Sequence, residues 1–121
     1  MSKFDELASR YIEMFNEADG ARRRRALEQL YTHDARYVDP HQDLTGPEQI
    51  DEFIAATQAR FPGYHFALGG PVDAHHDQAR FNWNATAPGE TEPSYVGFDV
   101  IVADDGRVRN VYGFMDNAPA A

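Results

Sequence analysis

Apolar side chains recur at steps of three and four residues in the N-terminal half of the chain, which predicts amphipathic helices. The first helix is expected to end near Gly20, a residue that often follows a helix. The second starts with the basic run Arg22 to Arg25, interpreted as a solvated helix face, although such runs can also bind nucleic acid. The predicted buried residues are Phe4, Leu7, Ala8, Tyr11, Ile12, Phe15 and Ala18 in the first helix and Ala26, Leu27, Leu30 and Tyr31 in the second.

A third helix has clearer boundary residues than the other two. Thr45 and Glu48 have the spacing of a capping box, with Pro47 in the first turn, which predicts Thr45 as the N-cap. Pro62 and Gly63 are expected to end the helix. Its predicted buried stripe is Ile50, Phe53, Ile54, Thr57 and Phe61.

Strand patterns account for most of the remaining sequence. Residues 35–39 form a short predicted strand before Pro40, and the alternation of side chains places Tyr37 and Asp39 on one face. Further strands are predicted at residues 64–72 (with a break at 69–70), 78–87, 95–102 and 107–115, with a hairpin turn at 104–106. The sequence therefore predicts an α+β fold in which three helices cover a curved antiparallel sheet and an apolar pocket lies between the layers.

The composition narrows the classes of partner. A length of 121 residues predicts one domain, taken as residues 1–116, followed by a flexible tail at 117–121. The net charge of −9 repels phosphate backbones and anionic lipids, so we expect neither nucleic acid nor a membrane as a partner. The polar N-terminus and the lack of a long apolar run predict a cytoplasmic protein. The absence of cysteine excludes disulfides and thiolate chemistry.

Three polar residues stand where the pattern calls for apolar ones: Tyr11, Asp39 and Asp99. Each has a structural explanation, since a helix tyrosine is often core, an aspartate before proline often belongs to a turn, and a strand aspartate can face solvent. Asp99 is the hardest to explain in that way, because its strand face also carries Gly97 and Ile101. Burying a carboxylate is costly unless it is protonated or partnered.

Several short segments together carry a resemblance to a known family. They are Arg10-Tyr11-Ile12, Asn16-Glu17-Ala18-Asp19, Tyr37-Val38-Asp39-Pro40, Thr45-Gly46, Phe53 and Gly97-Phe98-Asp99. With these segments, and over residues 4–116, the sequence resembles the Δ5-3-ketosteroid isomerases of the nuclear transport factor 2-like, or SnoaL-like, superfamily. The resemblance implies a cone-shaped, cystatin-like α+β barrel, with the curved sheet packed against the three N-terminal helices.

The resemblance also implies roles for the three polar residues. Asp39 matches the base that moves a proton beside a carbonyl, while Tyr11 and a protonated Asp99 match the donors to the enolate oxygen. The implied substrate is an apolar carbonyl-bearing small molecule, and no cofactor is implied. The expected pocket wall comprises Phe15, Tyr37, Phe53, Val111, Gly113 and Met115.

Two departures from the isomerase pattern are visible. Residues 22–25 resemble an insertion between the first two helices, and Ile54 stands where some isomerases have a supporting tyrosine. The limonene epoxide hydrolases share Tyr37 and Arg80, but Asn82 and Gly113 replace their catalytic aspartates, which disfavours that activity. Arg80 and Asn82 are still expected to line the pocket and to hold a polar end of the ligand.

The sequence leaves two other functions open. A polyketide-cyclase-like enzyme could use the same carboxylate to begin ring closure, and a non-catalytic carrier could use the same pocket for a small apolar ligand. The five histidines show no metal-ligand spacing, so no metal is expected. Asn110, Tyr112 and Phe114 share one strand face, and with Phe81 and Trp83 they are expected to form an exposed patch that joins a homodimer.

Overall fold

The structure is a computed structural model that describes residues 3–117. Within this range the chain forms three helices and seven strands in the order α1-α2-β1-β2-α3-β3-β4-β5-β6-β7. The helices are α1 Lys3–Met14, α2 Gly20–Leu30 and α3 Pro47–Arg60. The strands are β1 Tyr31–Asp39, β2 Gln42–Thr45, β3 His65–Leu68, β4 Asp73–His75, β5 Gln78–Thr86, β6 Tyr95–Asp104 and β7 Arg107–Asn117.

The sheet is curved and mixed, with the strand order β2-β1-β7-β6-β5-β3, while β4 also pairs with β5. The prediction of a purely antiparallel sheet is wrong at one place, because β1 runs parallel to β7. Helix α3 and the remaining strands separate these two in sequence, and so long a connection allows parallel pairing. Among the described strands the edges β2 and β3 do not pair, so the implied barrel is open.

Several predicted boundaries move in the structure. Gly46, and not Thr45, is the N-cap of α3, because Thr45 pairs with Arg36 at the end of β2, a strand that the sequence pattern did not predict. Tyr31 begins β1 instead of ending α2. Asn117 belongs to β7, where its side chain accepts a hydrogen bond from the Val96 amide, whereas the rest of the predicted tail lies outside the described residues.

The helices pack on the inner face of the sheet and enclose the apolar core. The most completely buried side chains there include Tyr11, Leu30, Ile54, Ile101 and Val111. None of the described helices is long and apolar enough to cross a membrane.

One residue of the basic run departs from the predicted solvated face: Arg22, Arg24 and Arg25 are exposed, whereas Arg23 is buried. It is only 5% exposed, and its Nε donates to Asp51 Oδ1 on α3 at 2.6 Å. Its Nη1 donates to the Glu17 carbonyl at 2.9 Å and to Gln58 Oε1 at 3.2 Å, while Gln58 Nε2 donates to the Phe15 carbonyl. A buried cation needs such partners. This network connects α2 and α3 to the backbone of the segment after α1. It therefore helps to hold Phe15, which belongs to that segment, beside the pocket.

Candidate active site

A cavity of about 300 Å³ lies between the helices and the inner face of the sheet. Its size falls at the small end of the range for ligand sites. Of the site residues predicted from the sequence, eight line this cavity. These are Tyr11, Phe15, Tyr37, Asp39, Phe53, Asp99, Gly113 and Met115.

Tyr11 and Asp99 meet at the buried end of the cavity. Tyr11 projects from the apolar face of α1, and Asp99 projects from the middle of β6, whose alternation turns it to the inner face. The Tyr11 hydroxyl donates to Asp99 Oδ2 at 2.6 Å, and the two residues are 1% and 4% exposed. Two oxygen-bearing groups from distant parts of the chain therefore form one hydrogen-bonded pair.

The surroundings of Asp99 change its proton affinity. Burial raises the pKa of Asp99 from 3.8 to about 7, and hydrogen bonds from Tyr11 and Trp83 partly oppose that rise. The negative charge of Asp39 contributes a smaller part of the rise to about 7, because a second charge in the same cavity is unfavourable. Burial, and then the nearby Asp99, also hold the pKa of Tyr11 well above its usual value. Asp99 is thus protonated in a large fraction of molecules near neutral pH, and Tyr11 keeps its hydroxyl proton.

Asp39 is held differently. It lies at the end of β1, where its Oδ2 accepts from the Tyr37 hydroxyl at 2.8 Å. Its Oδ1 accepts from the backbone amides of His41 and Gln42 at 2.8 and 3.0 Å. A carboxylate offers about four acceptor positions, so three donors leave one free for a ligand proton. These three hydrogen bonds orient the Asp39 side chain and leave it able to accept one more.

Gly113 separates the two carboxyl groups. A Cβ atom at this position would lie 3.1 Å from Asp99 Oδ1 and 3.2 Å from the Cβ of Asp39. Gly113 is directly opposite Asp99 across β6 and β7, and it lines the cavity. The absent side chain leaves bare backbone between the carboxyl groups, which lets a ligand atom approach both.

Three predicted site residues lie elsewhere. Arg80 and Asn82 are on the outer face of β5, where Arg80 Nε pairs with Asp73 at 3.2 Å and Asn82 is opposite Phe98. Both predictions are wrong, because the alternation of β5 that turns Phe81 inward turns these two outward. Val111 does share the inner face, but it is fully buried in the core and does not contribute to the cavity lining.

Trp83 lines the cavity, so its predicted place in the exposed aromatic patch is wrong. Successive side chains of a strand point to opposite faces, so Phe81 and Trp83 lie on the face opposite to Arg80 and Asn82. Because Arg80 and Asn82 are polar, the sequence already indicated that this opposite face points inward. His41, Thr57 and Tyr95 also contribute to the lining. None of them was predicted as a site residue, although Thr57 belongs to the predicted buried stripe of α3 and Tyr95 shares the strand face of Asp99. In the described part of the chain, no group of three or more His, Cys, Asp or Glu side chains is placed to hold a metal ion.

Comparison with known proteins supports the family that the sequence resembles. The family profile of the SnoaL-like domain matches residues 8–111. The chain belongs to the SnoaL-like family. The fold of this SnoaL-like protein is the cystatin-like, nuclear transport factor 2-like α+β fold, as the resemblance implied. A search of functionally curated proteins found no match.

Solved structures support the assignment. A protein of Agrobacterium tumefaciens, described as a candidate isomerase of the SnoaL-like family, is 36% identical with a TM-score of 0.91, over 97% of this chain and 100% of that one. A candidate ketosteroid isomerase of Kribbella flavida is 22% identical (TM-score 0.71; 98% and 82% covered). A candidate SnoaL-like polyketide cyclase of Jannaschia is 20% identical (TM-score 0.69; 93% and 86% covered). The last two share the fold at low identity.

Proposed function

We propose that this SnoaL-like protein is a cofactor-independent, ketosteroid-isomerase-like enzyme that moves a proton beside the carbonyl of an apolar small molecule. The observation that carries the proposal is the pair of unlike carboxyl groups in one cavity. Asp39 is oriented by three donors, whereas Asp99 is buried beside Tyr11 with a pKa raised to about 7 by that burial. Two carboxyl groups that share one cavity but lie in different environments are suited to divide base and acid roles.

The reaction follows from these positions. The Asp39 carboxylate takes a proton from the carbon next to the ligand carbonyl, and the C–H electron pair moves into an enolate. Protonated Asp99 donates a hydrogen bond to the developing enolate oxygen, and the Tyr11 hydroxyl is a second donor beside it. Asp39 then returns the proton to the γ-carbon, so the double bond moves into conjugation and no atom is gained or lost. Phe15, Phe53 and Met115 supply apolar contacts to the ligand.

Isomerisation in D₂O tests this function. We expect the protein to convert a β,γ-unsaturated ketone, either 3-cyclohexenone or a Δ5-3-ketosteroid, into the conjugated enone, with absorbance near the enone band increasing over time. The NMR spectrum should show deuterium at the α- or γ-carbon, because the carboxyl proton can exchange with solvent. Saturable binding of both ketones without conversion or exchange would contradict the proposal and support a carrier.

The outer face of the sheet supports a second proposal, that two copies associate as a homodimer. Tyr112 and Phe114 are 36% and 49% exposed on this face, and Phe114 stacks on Phe98 with ring centroids 4.8 Å apart. Val38 and Val100 flank Tyr112. Exposed apolar areas of this kind are typical of interfaces. Phe81 and Trp83, predicted to join the patch, are on the inner face and take no part in it.

A charge placed on this face tests the dimer. We expect the wild-type protein to sediment as a dimer and Tyr112→Asp to sediment as a monomer, because a carboxylate would be buried without a partner in the interface. Tyr112 does not line the cavity, so the variant leaves the site intact. Ala55→Asp, which adds the same charge on an exposed face of α3, is the control and should remain dimeric. A monomeric wild type, or a dimeric Tyr112→Asp, would contradict this proposal.

A further inference from the structure

Trp83 has a position that the proposed chemistry leaves unexplained. It lies on β5 directly opposite Gly97 of β6, and Asp99 follows two residues later on the same face of β6. Diagonal neighbours on adjacent strands are within reach of a long aromatic side chain. Trp83 is half-buried and lines the same cavity as Asp99. Its indole N–H, the only donor that its side chain possesses, is among the groups that lower the pKa of Asp99.

Gly97 makes this placement of the indole possible. A Cβ at residue 97 would lie 2.6 Å from Cζ2 and 2.8 Å from Cε2 of Trp83, and it would also collide with the Phe114 carbonyl oxygen. The indole therefore lies against the bare backbone of β6, two residues before Asp99. Any side chain at this position would displace the ring.

We propose that Trp83, resting on Gly97, is a positioning residue that holds the Asp99 carboxyl in the cavity through its indole N–H. Tyr11 engages Asp99 Oδ2 from the helix side, and Trp83 approaches from the neighbouring strand. Two donors on different elements limit rotation of the carboxyl group. Because a donor stabilises the charged form, Trp83 also limits how far burial can raise the proton affinity of Asp99.

The catalytic meaning of this contact rests on the proposed function, whereas its existence can be tested without a substrate. Trp83 is the single tryptophan of the chain, so its fluorescence reports on this site alone. We expect the emission of the wild-type protein to change in one step with a midpoint near pH 7, as Asp99 changes charge beside the indole. Asp99→Asn should abolish that step.

Other groups near Asp99 need control variants. Tyr11, Tyr31, Tyr37 and Asp39 interact with it electrostatically, and the cavity lining adds His41, Arg60 and Tyr95. Histidines can change charge between pH 5 and 8, so His41→Gln must keep the step if Asp99 is its source. Asp39→Asn should move the midpoint to lower pH, because the Asp39 charge raises the pKa of Asp99.

Trp83→Phe tests the role of the N–H itself, since it keeps a ring over Gly97 but removes the donor. In protein labelled with ¹³C at the aspartate side-chain carboxyls, the Asp99 signal can be assigned by its loss in Asp99→Asn. We expect its titration midpoint to move to higher pH in Trp83→Phe. A purely structural role of the ring would leave that midpoint in place.

Three results would overturn the proposal: no emission step in the wild type, a step that persists in Asp99→Asn, or an Asp99 midpoint unchanged by Trp83→Phe. The first two measurements leave Trp83 in place, so they remain decisive if Trp83→Phe does not fold. An emission step without any ketone isomerisation would support the Trp83 contact and reject the proposed enzyme. Ketone isomerisation without an emission step would support the proposed enzyme and reject the Trp83 contact.

Discussion

Replacing Asp39 by asparagine is expected to lower the turnover of a β,γ-unsaturated ketone by about 10²–10⁴-fold, the usual effect of deleting a general base. The fold should tolerate the change, because the asparagine oxygen can still accept from the amides of His41 and Gln42. Its NH₂ group can donate to the Tyr37 oxygen, which now accepts. The loss should therefore fall on kcat, while the dissociation constant for the ketone changes little.

Steady-state kinetics and ligand titration of the purified variant check this prediction. Asp104→Asn, the same chemical change at an exposed position, is the matched control and should retain wild-type rates. A comparable loss in both variants would point to a general effect of charge. Turnover by Asp39→Asn close to that of the wild type would remove Asp39 from the mechanism.

Replacing Asp99 by asparagine is expected to stabilise the protein at alkaline pH. Burial raises the pKa of Asp99 from 3.8 in its ordinary state to about 7 in the folded state. Between these two pKa values the folded protein therefore keeps a proton that the unfolded chain releases. The stability associated with that proton is complete below about pH 4 and is lost as the pH rises to about 7.

Asp99→Asn cannot ionise, so it avoids this loss. Its free energy of unfolding should match that of the wild type near pH 4 and exceed it at pH 8, by at most an amount on the order of 4 kcal/mol. Urea unfolding at both pH values measures the difference. If Asp99 were instead an ionised member of a buried ion pair, the variant would lose several kcal/mol. Lower stability of Asp99→Asn at pH 8 would therefore contradict a neutral Asp99.

Asp43→Asn provides a control of opposite sign. The hydrogen bond from Arg36 lowers the pKa of Asp43, so ionised Asp43 is favoured in the folded state. Its contribution is present at pH 8 and is lost as the pH falls through the lowered pKa. Asp43→Asn should thus be no more stable than the wild type at pH 8, which separates the burial of Asp99 from a general effect of reducing the net negative charge.

Local rules predicted much of this structure, and they did so where a single periodicity dominates. The alternation along β1 placed Tyr37 beside Asp39, and the helical stripe of α1 placed Tyr11 on the buried face. The family resemblance was needed to connect Tyr11 with Asp99, because nothing local in the sequence indicates which strand packs against α1. Their hydrogen bond joins residues 88 positions apart.

The errors arose where tertiary contacts override local preference. Thr45 lost its capping role because backbone pairing with β1 was available to it. Arg23 became buried because Asp51, on a different helix, could satisfy it, and charge patterning on one helix contains no information about such a partner. Arg80 and Asn82 were assigned from a related family's pattern, although the alternation of their own strand placed them outside.

Gly113, which lies between the Asp39 and Asp99 carboxyl groups, has a consequence for the shape of a ligand that could bind there. At Gly113 the ligand would meet flat main chain where other residues project at least a methyl group. A planar, unsaturated ring can lie flat against such a surface, with its edge next to Asp39 and Asp99. Under the proposed function, a bulky tetrahedral centre next to the carbonyl would be kept away from the strand, so ketones crowded at that carbon are expected to be poor substrates.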